Sequence, residues 1–180
     1  MNEELSKVTI HLVSSLDGFI AKKDNSVSWF ETTDYYEKGV TGEDEEEFLK
    51  TIGCYVIGAH TYEHTLEIGW PYGETPVTVV THRNLRHNGK NIEFYSGSLE
   101  KLVNAHLKPK YRNIWIAGGA MLAEDIIRLN LADDLRLSIL PVMLGDGKRF
   151  LDHIGREEAL HLKDVTAYKS GMVELWYEIR

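Results

Sequence analysis

The sequence predicts an α/β protein with one mixed, mainly parallel sheet, helices on both faces and a C-terminal antiparallel hairpin. Three observations support this fold class. Short apolar runs alternate with helical patterns through most of the chain, as in parallel strands joined by crossover helices. The last part alternates polar and apolar residues with a period of two, as antiparallel strands do. The 180 residues, 43% of them hydrophobic, are enough for the core of one domain, which we expect to cover 1–180.

The strands follow from short apolar or alternating runs bounded by turn residues. Asp17-Gly18 is a turn after the first run, and residues 169–171 (Lys-Ser-Gly) are a hairpin turn before the last. The predicted strands are residues 8–14, 54–57, 77–81, 92–95, 114–116, 135–141, 160–168 and 173–179.

Helices are predicted where apolar residues recur at helical spacing behind a capping residue. A capping box at 41–44 precedes the first helix, so the acidic run behind it is a solvated first turn. Thr61 is the candidate cap of the second helix and Ser98 that of the third. The fourth opens after Gly118-Gly119, and its apolar stripe is Leu122, Ile126 and Leu129.

The composition argues against several function classes. The net charge of −8 disfavours binding to nucleic acid through bulk electrostatics, although one phosphate still fits a local basic pocket. Apolar stretches are far shorter than the ~20 residues of a membrane span, and no leader pattern follows Met1, so we expect a cytoplasmic protein without membrane contact. Cys54 has no partner for a disulfide and is expected to be a small buried side chain.

The junction after residues 114–116 is the most informative local feature. Two glycines between a strand and a helix let the backbone turn sharply and let a ligand approach it closely. The free N–H groups of the first helical turn attract an anion, so the junction predicts a phosphate site. The alternative is a tight turn whose glycines serve packing alone.

Other loops that follow strands should meet this junction at one edge of the sheet, where open α/β sheets bind ligands. The chain has neither a G-x-G-x-x-G fingerprint nor a Walker A sequence, which argues against an ordinary Rossmann dinucleotide site and against nucleotide hydrolysis. His60 and His64 are spaced i, i+4, but without a third ligand we interpret them as surface histidines and predict no metal site.

Five segments in a fixed order run through almost the whole chain: VSSLDGFIA (13–21), GAHTYE (58–63), VVTHR (79–83), IAGG (116–119) and LSILPVMLGDGK (137–148). Together they resemble the dihydrofolate reductase-like fold. Within that fold they resemble the reductase domain of the bifunctional riboflavin biosynthesis deaminase/reductase and its stand-alone relatives. The resemblance implies hydride transfer from NADPH, with NADH as the alternative cofactor.

The resemblance also implies which residues bind the cofactor. The amides of residues 120–122, together with Gly58 and Thr61, would hold its phosphates, and a cis peptide would join Gly118 to Gly119. Ile20 and Ala21 would line the nicotinamide. The full implied set is Ile20, Ala21, Gly58, Thr61, Thr81, Arg83, Gly118, Gly119, Ala120, Met121 and Leu122.

The site for the adenosine 2′-phosphate departs from the family's pattern. Family members commonly carry an arginine before Thr-Tyr-Glu, and Ala59 stands at that position here. The resemblance places Thr81 and Arg83 beside the 2′-phosphate, where Arg83, with His60 and His82, would replace the missing charge.

On the substrate side, the resemblance implies a small molecule bound between Asp17, Trp29 and the first helix, with Ser14 also in contact. The proton donor is open between carboxylates. Asp17 and Asp44 are the candidate catalytic residues, while Asp34 follows Trp29 at the spacing of dihydrofolate reductases.

Two function classes remain. The first is a reductase of a pyrimidine, pteridine or related heteroaromatic ring, of the 5-amino-6-(5-phosphoribosylamino)uracil reductase class. The second is a non-catalytic protein that binds a nucleotide or other small ligand on the same fold. The related reductases pair through their C-terminal strands, so we expect a homodimer with residues 140–144 against the partner.

Overall fold

The computed structural model describes residues 5–31, 34–89 and 91–180, without the side chains of residues 43–45. Ten strands run through this part of the chain. Their bounds are β1 Lys7–Ser15, β2 Phe19–Ala21, β3 Cys54–Gly58, β4 Val77–Val80, β5 Ile92–Tyr95, β6 Asn113–Ile116, β7 Asp134–Leu140, β8 Lys148–Arg149, β9 Leu160–Ala167 and β10 Val173–Ile179.

Within the described residues, eight of the strands form one sheet in the order β5-β4-β3-β6-β1-β7-β10-β9. All neighbours from β5 to β7 are parallel, whereas β10 is antiparallel to both β7 and β9. This confirms the predicted mixed, mainly parallel sheet with a C-terminal antiparallel hairpin. The first strand of the chain lies in the middle of the sheet, between β6 and β7.

Four helical segments connect these strands: α1 Glu43–Leu49, α2 Ala59–Ile68, α3 Leu99–Lys101, which continues as π-helix over Leu102–Leu107, and α4 Ala120–Arg128. The predicted cap at Ser98 is confirmed, because its hydroxyl accepts the Lys101 N–H at 3.2 Å. Two other caps were wrong. α1 begins behind Gly42 without a side-chain cap, and α2 begins behind Gly58 rather than Thr61. In both cases a glycine with no capping side chain precedes the helix.

The sequence patterns missed a second, two-stranded sheet. β2 and β8 pair antiparallel beside the end of β1, and Ser28–Phe30 forms a 3-10 turn close behind them. Gly147 packs directly on the Ala21 carbonyl, so a side chain at that position would collide with backbone. Strands of two and three residues with a register shift carry no readable periodicity, which explains the omission.

Two apolar clusters hold the layers together. Val8, Ile10 and Leu12 of β1 face α4 and the π-helical segment, which we call the α3/α4 face. Trp115 of β6 and Tyr62 of α2 belong to the opposite layer, the α1/α2 face. Cys54 is buried as predicted, and burial raises the pKa of its thiol to about 11. No helix in the described ranges is long and apolar enough to cross a membrane.

Candidate functional site

The loops singled out by the sequence do meet at one edge of the sheet. β3, β4 and β5 end level with one another, since Gly58 pairs with Val80 and Val80 with Tyr95. β6 ends beside them at Ile116, which pairs with Val56. The chain segments that follow these strands therefore border one surface, as expected for parallel strands.

Two helices begin at this edge behind glycines, Gly58 for α2 and Gly119 for α4, and neither has a side-chain cap. The first intrahelical bond of α4 runs from the Ala123 N–H to the Gly119 carbonyl at 3.1 Å. The N–H groups of Ala120, Met121 and Leu122 precede it and have no acceptor within the helix. Two such helix ends side by side form a positively polarised surface for an anion.

The two helix ends touch through Gly118 and Thr61. A Cβ on Gly118 would lie 2.9 Å from both Oγ1 and Cγ2 of Thr61, so only glycine fits. Gly118 and Gly119 adopt φ of +120° and +83°, conformations that other residues rarely adopt. The expectation of a cis bond between them was wrong, since every peptide bond in the described ranges is trans. The positive φ angles turn the chain instead.

The edge leaves room in front of the α2 end. A Cβ built on Gly58 would meet no atom within 4 Å, so the chain leaves open space in front of the α2 end. Leu122 is buried and Met121 is exposed, so their side chains do not form one contact surface. What residues 120–122 share is a row of backbone amides at the helix end. An uncapped, open, glycine-lined pair of helix ends is suited to bind an anion.

A shallow pocket of about 200 Å³ opens at the ends of β4 and β5. Thr81, predicted as a cofactor contact, is buried in its wall, and its hydroxyl accepts the Arg83 N–H at 3.0 Å. The pocket lining is Thr81, His82, Arg83, Asn84, Phe94, Tyr95 and Ser96. The rings of Phe94 and Tyr95 give the pocket an apolar side.

Arg83 is held by a residue that the sequence analysis did not single out. Its guanidinium donates two hydrogen bonds to the Glu63 carboxylate of α2, at 2.9 and 2.6 Å. The hydrogen bonds from Arg83 lower the pKa of Glu63, and Glu63 in turn raises that of Arg83. Both side chains are substantially exposed, so the pair is weak and a phosphate dianion could displace the carboxylate.

Asp17 lies at the end of β1 with its carboxylate fully engaged. It accepts the Ser15 hydroxyl at 2.5 Å, the Leu144 N–H at 3.0 Å and the Gly145 N–H at 2.7 Å. The Ser15 hydrogen bond is the largest of several causes that lower the Asp17 pKa. The carboxylate therefore ties the β1 loop to the loop after β7, and it stays ionised at neutral pH.

The cofactor residues predicted on the first loop, Ile20 and Ala21, lie in β2, where Ala21 is buried against β8. Trp29 is buried in the 3-10 turn with its ring against Phe30, and its indole N–H has no partner among the described residues. Ser14 is buried and, by strand alternation, faces the α3/α4 side together with Leu12.

The candidate acids lie in different segments of the chain. Asp34 lies against Gly171, in the turn between β9 and β10. Asp44 falls in α1, and its side chain is outside the described part of the structure. Within the described residues no group of three histidine, cysteine, aspartate or glutamate side chains is placed to hold a metal ion.

A buried polar network on the α1/α2 face also escaped the sequence analysis. His11 Nε2 lies 3.0 Å from the Ser138 hydroxyl, and that hydroxyl donates to Glu174 Oε2 at 3.2 Å. Arg136 forms a salt bridge with the other Glu174 oxygen and stacks on the Phe48 ring at 4.4 Å. Burial, followed by the charge of Arg136, lowers the pKa of His11 to about 4.

Comparison with known proteins decides the family. The profile of the RibD C-terminal domain matches residues 6–173. The chain belongs to this family. The RibD C-terminal domain of this chain is 29% identical, over 95% of its length, to the uncharacterized protein YwjB of Bacillus subtilis (strain 168), of which it covers 97%.

Solved structures confirm the dihydrofolate reductase-like fold of this RibD C-terminal domain. A putative riboflavin biosynthesis protein from Shewanella sp. PV-4 superposes with a TM-score of 0.82 at 17% identity, over 97% of this chain and 99% of that one. Dihydrofolate reductase from Enterococcus faecalis, complexed with NADP(H) and RAB-propyl, superposes with a TM-score of 0.61 at 17% identity, over 97% and 96%. The resemblance inferred from the five sequence segments is therefore confirmed.

Proposed function

We propose that the chain is an NADPH-dependent reductase that transfers hydride to a heteroaromatic ring, such as a pyrimidine or pteridine of the aminouracil reductase class. The contact between Thr61 and Gly118 carries the proposal, because it brings two uncapped helix ends into one anion-binding surface in a chain of the RibD C-terminal domain family. When bound, the nicotinamide would supply the hydride.

The proposed binding roles follow the edge of the sheet. The amides of residues 120–122 and the end of α2 at Gly58 hold the phosphates, with Thr61 between them. Arg83 and Thr81 take the 2′-phosphate, and Arg83 exchanges its Glu63 partner for it. Binding at these points fixes the cofactor against the strand ends, so that it reaches the substrate in one orientation.

The proposed substrate lies on the α1/α2 face, bordered by Trp29 and α1. Asp17 acts there as a positioning residue, because an ionised carboxylate that already accepts three hydrogen bonds has no proton to give. We keep Asp44 as the proposed proton donor. Asp44→Asn should then lower kcat strongly with little change in NADPH affinity, whereas Asp17→Asn should change KM and stability as well.

The proposed enzyme is a homodimer that pairs through its C-terminal strands. β9 is an edge strand of the main sheet and exposes Leu160, Leu162 and Val165. Met143, in the segment after β7, is 72% exposed. Apolar side chains at the open edge of a sheet support an association with a second copy of the chain.

The test has two stages. NADPH is titrated into the purified protein while nicotinamide fluorescence is followed, and oxidation of bound NADPH is then measured against pterins and aminouracils. Binding followed by oxidation with a member of the panel is the expected result. Binding without oxidation would favour a non-catalytic ligand-binding protein, and the absence of NADPH and NADH binding would refute the proposal.

A further inference from the structure

The four residues of the buried network beneath α1, His11, Arg136, Ser138 and Glu174, differ in their exposure to solvent. Arg136, Ser138 and Glu174 are 7%, 2% and 3% exposed, whereas the His11 side chain is 21% exposed. The imidazole is therefore the member of this group that offers an appreciable surface to a ligand. Its ring also stacks on Trp115, with centroids 4.8 Å apart.

The hydrogen bonds fix which nitrogen of His11 carries its proton. Ser138 donates its hydroxyl proton to Glu174, so its oxygen has to accept from His11 Nε2. His11 is neutral at pH 7, because burial and the charge of Arg136 lower its pKa to about 4. The second nitrogen, Nδ1, is consequently an unprotonated acceptor, and no described residue bonds to it.

The salt bridge between Arg136 and Glu174 keeps the hydrogen bonds from His11 to Ser138 and from Ser138 to Glu174 in place. Arg136 and Glu174 are buried, and replacing such a pair by apolar residues is often neutral or stabilising, so stability alone is a weak reason for its presence. Here the guanidinium binds one oxygen of the Glu174 carboxylate, and the other oxygen accepts the Ser138 hydroxyl. This fixed carboxylate orients Ser138, and through it the imidazole.

His11 is close to the proposed cofactor edge. Trp115, on which it stacks, precedes Gly118 by three residues, roughly 10 Å of extended backbone. Val13 and Ser15 continue the His11 side of β1 to the end of the strand, where Ser15 binds Asp17. The His11 ring therefore lies on the side of β1 that leads to the proposed cofactor edge.

We propose that His11 Nδ1 recognises the substrate by accepting a hydrogen bond from a ring N–H or an amino group, with Ser138 and Glu174 as positioning residues. The inference rests on the proposed function for the location and class of the substrate and deepens it by naming the side chain that recognises the ring. The feature recognised is an N–H donor on a neutral heteroaromatic ring. Rings whose nitrogens are all alkylated lack the donor and bind weakly.

Two substitutions separate recognition from packing. Gln at position 11 places its amide near the position of Nε2, so His11→Gln keeps a donor for Ser138 but loses the acceptor at Nδ1. Asn reaches only the Nδ1 position, so His11→Asn keeps an acceptor there. The probes are an aminouracil and a dimethyluracil with both ring nitrogens methylated, each titrated in the presence and absence of NADPH.

The wild type is expected to bind the aminouracil at least tenfold more tightly than the dimethyluracil. His11→Gln should remove most of this difference, and His11→Asn should retain part of it. Unchanged discrimination in His11→Gln, or no binding of the aminouracil to the wild type under either condition, would overturn the proposal.

Nitrogen-15 NMR of the imidazole gives a readout that does not depend on turnover. In the wild type, Nδ1 should show the shift of an unprotonated nitrogen and should move when the aminouracil is added, but not with dimethyluracil. Ser138→Ala should mix the two tautomers. A protonated Nδ1 in the wild type would refute the assignment. Unchanged NADPH affinity in His11→Gln shows that the substitution leaves the cofactor site intact. Failure of the His11 proposal can then be told apart from failure of the proposed cofactor binding.

Discussion

Thr61 and Gly118 are 57 residues apart in the sequence, and a methyl group on Gly118 would lie 2.9 Å from the Thr61 side chain. This contact joins the α2 and α4 helix ends into one surface. The proposed phosphate site uses both helix ends, so it depends on the spacing that this contact sets.

Gly118→Ala should weaken NADPH binding at least tenfold and lower the free energy of unfolding. A residue other than glycine at φ +120° costs roughly 1–3 kcal/mol, and displacing Thr61 adds to that cost. Gly69→Ala is the matched control, because Gly69 has φ +118° but open space around its Cβ. Fluorescence titration and urea unfolding give the two values. Equal losses of binding in the two variants would contradict the role of the contact.

Cofactor preference should depend on Arg83. We expect the wild type to bind NADPH roughly ten- to a hundredfold more tightly than NADH, because an arginine hydrogen bond to phosphate contributes about 1.5–3 kcal/mol. Arg83→Ala should erase most of this gap. Glu63→Gln, which frees the guanidinium, and Ala59→Arg should both widen it. High salt should narrow it, since the pair is exposed. If the wild type binds NADPH and NADH equally tightly, and no substitution changes this, the 2′-phosphate site at Arg83 is disproved.

Asp17 should contribute stability that depends on pH. Its folded pKa lies below the ordinary value of 3.8, so its contribution is complete above that value and is lost as the pH falls through the folded pKa. Wild type should therefore exceed Asp17→Asn in unfolding free energy at neutral pH, and the difference should shrink below pH 3.8. Ser15→Ala, which removes the main hydrogen bond, should reduce it as well. A difference that does not vary with pH would argue against this assignment.

The Arg136 and Glu174 pair should behave as a coupled unit. Arg136→Met or Glu174→Leu alone leaves a buried charge without its partner and should cost about 3–5 kcal/mol. The double variant should recover much of that loss, giving a large coupling energy in a double-mutant cycle. Chemical denaturation of the four proteins measures the cycle. Additive losses would mean that the two charges do not interact.

The association of the chain should be disrupted at the exposed apolar positions of its C-terminal half. Leu162→Glu in β9 and Met143→Glu after β7 place a charge on the proposed interface, and each should shift the protein from dimer to monomer in sedimentation velocity. Ile68→Glu, at an exposed apolar residue at the end of α2, serves as the control. A wild-type monomer at micromolar concentration would exclude an interface of standard area.

The sheet and the glycine junction could be predicted because their signals are local. Apolar periodicity marks the eight strands of the main sheet, and paired glycines mark the junction between β6 and α4. The small sheet of β2 and β8 could not be predicted in this way, since it is too short to show a period. Gly42 and Gly58 were missed as helix caps because they lack the side chain by which caps are recognised.

The buried network escaped prediction for a different reason. Arg136 and Ser138 alternate with apolar residues along β7, and Glu174 does so in β10, a pattern typical of a strand with one solvated face. In the structure this face is buried rather than solvated, because Phe48 of α1 covers it. One signal was available: β7 and β10 place opposite charges on the same side of two adjacent strands, which favours pairing.

The central place of β1 in the sheet has a consequence for synthesis of the chain. β1 pairs with β6 and β7, which begin at Asn113 and Asp134, so its hydrogen bonds wait until most of the polypeptide has left the ribosome. Such non-local pairing folds slowly. Until then Val8, Ile10 and Leu12 have no layer to bury them, and the nascent chain exposes an apolar strand with both edges unpaired. The order of the strands in the finished sheet thus requires that β1 be protected from aggregation during translation.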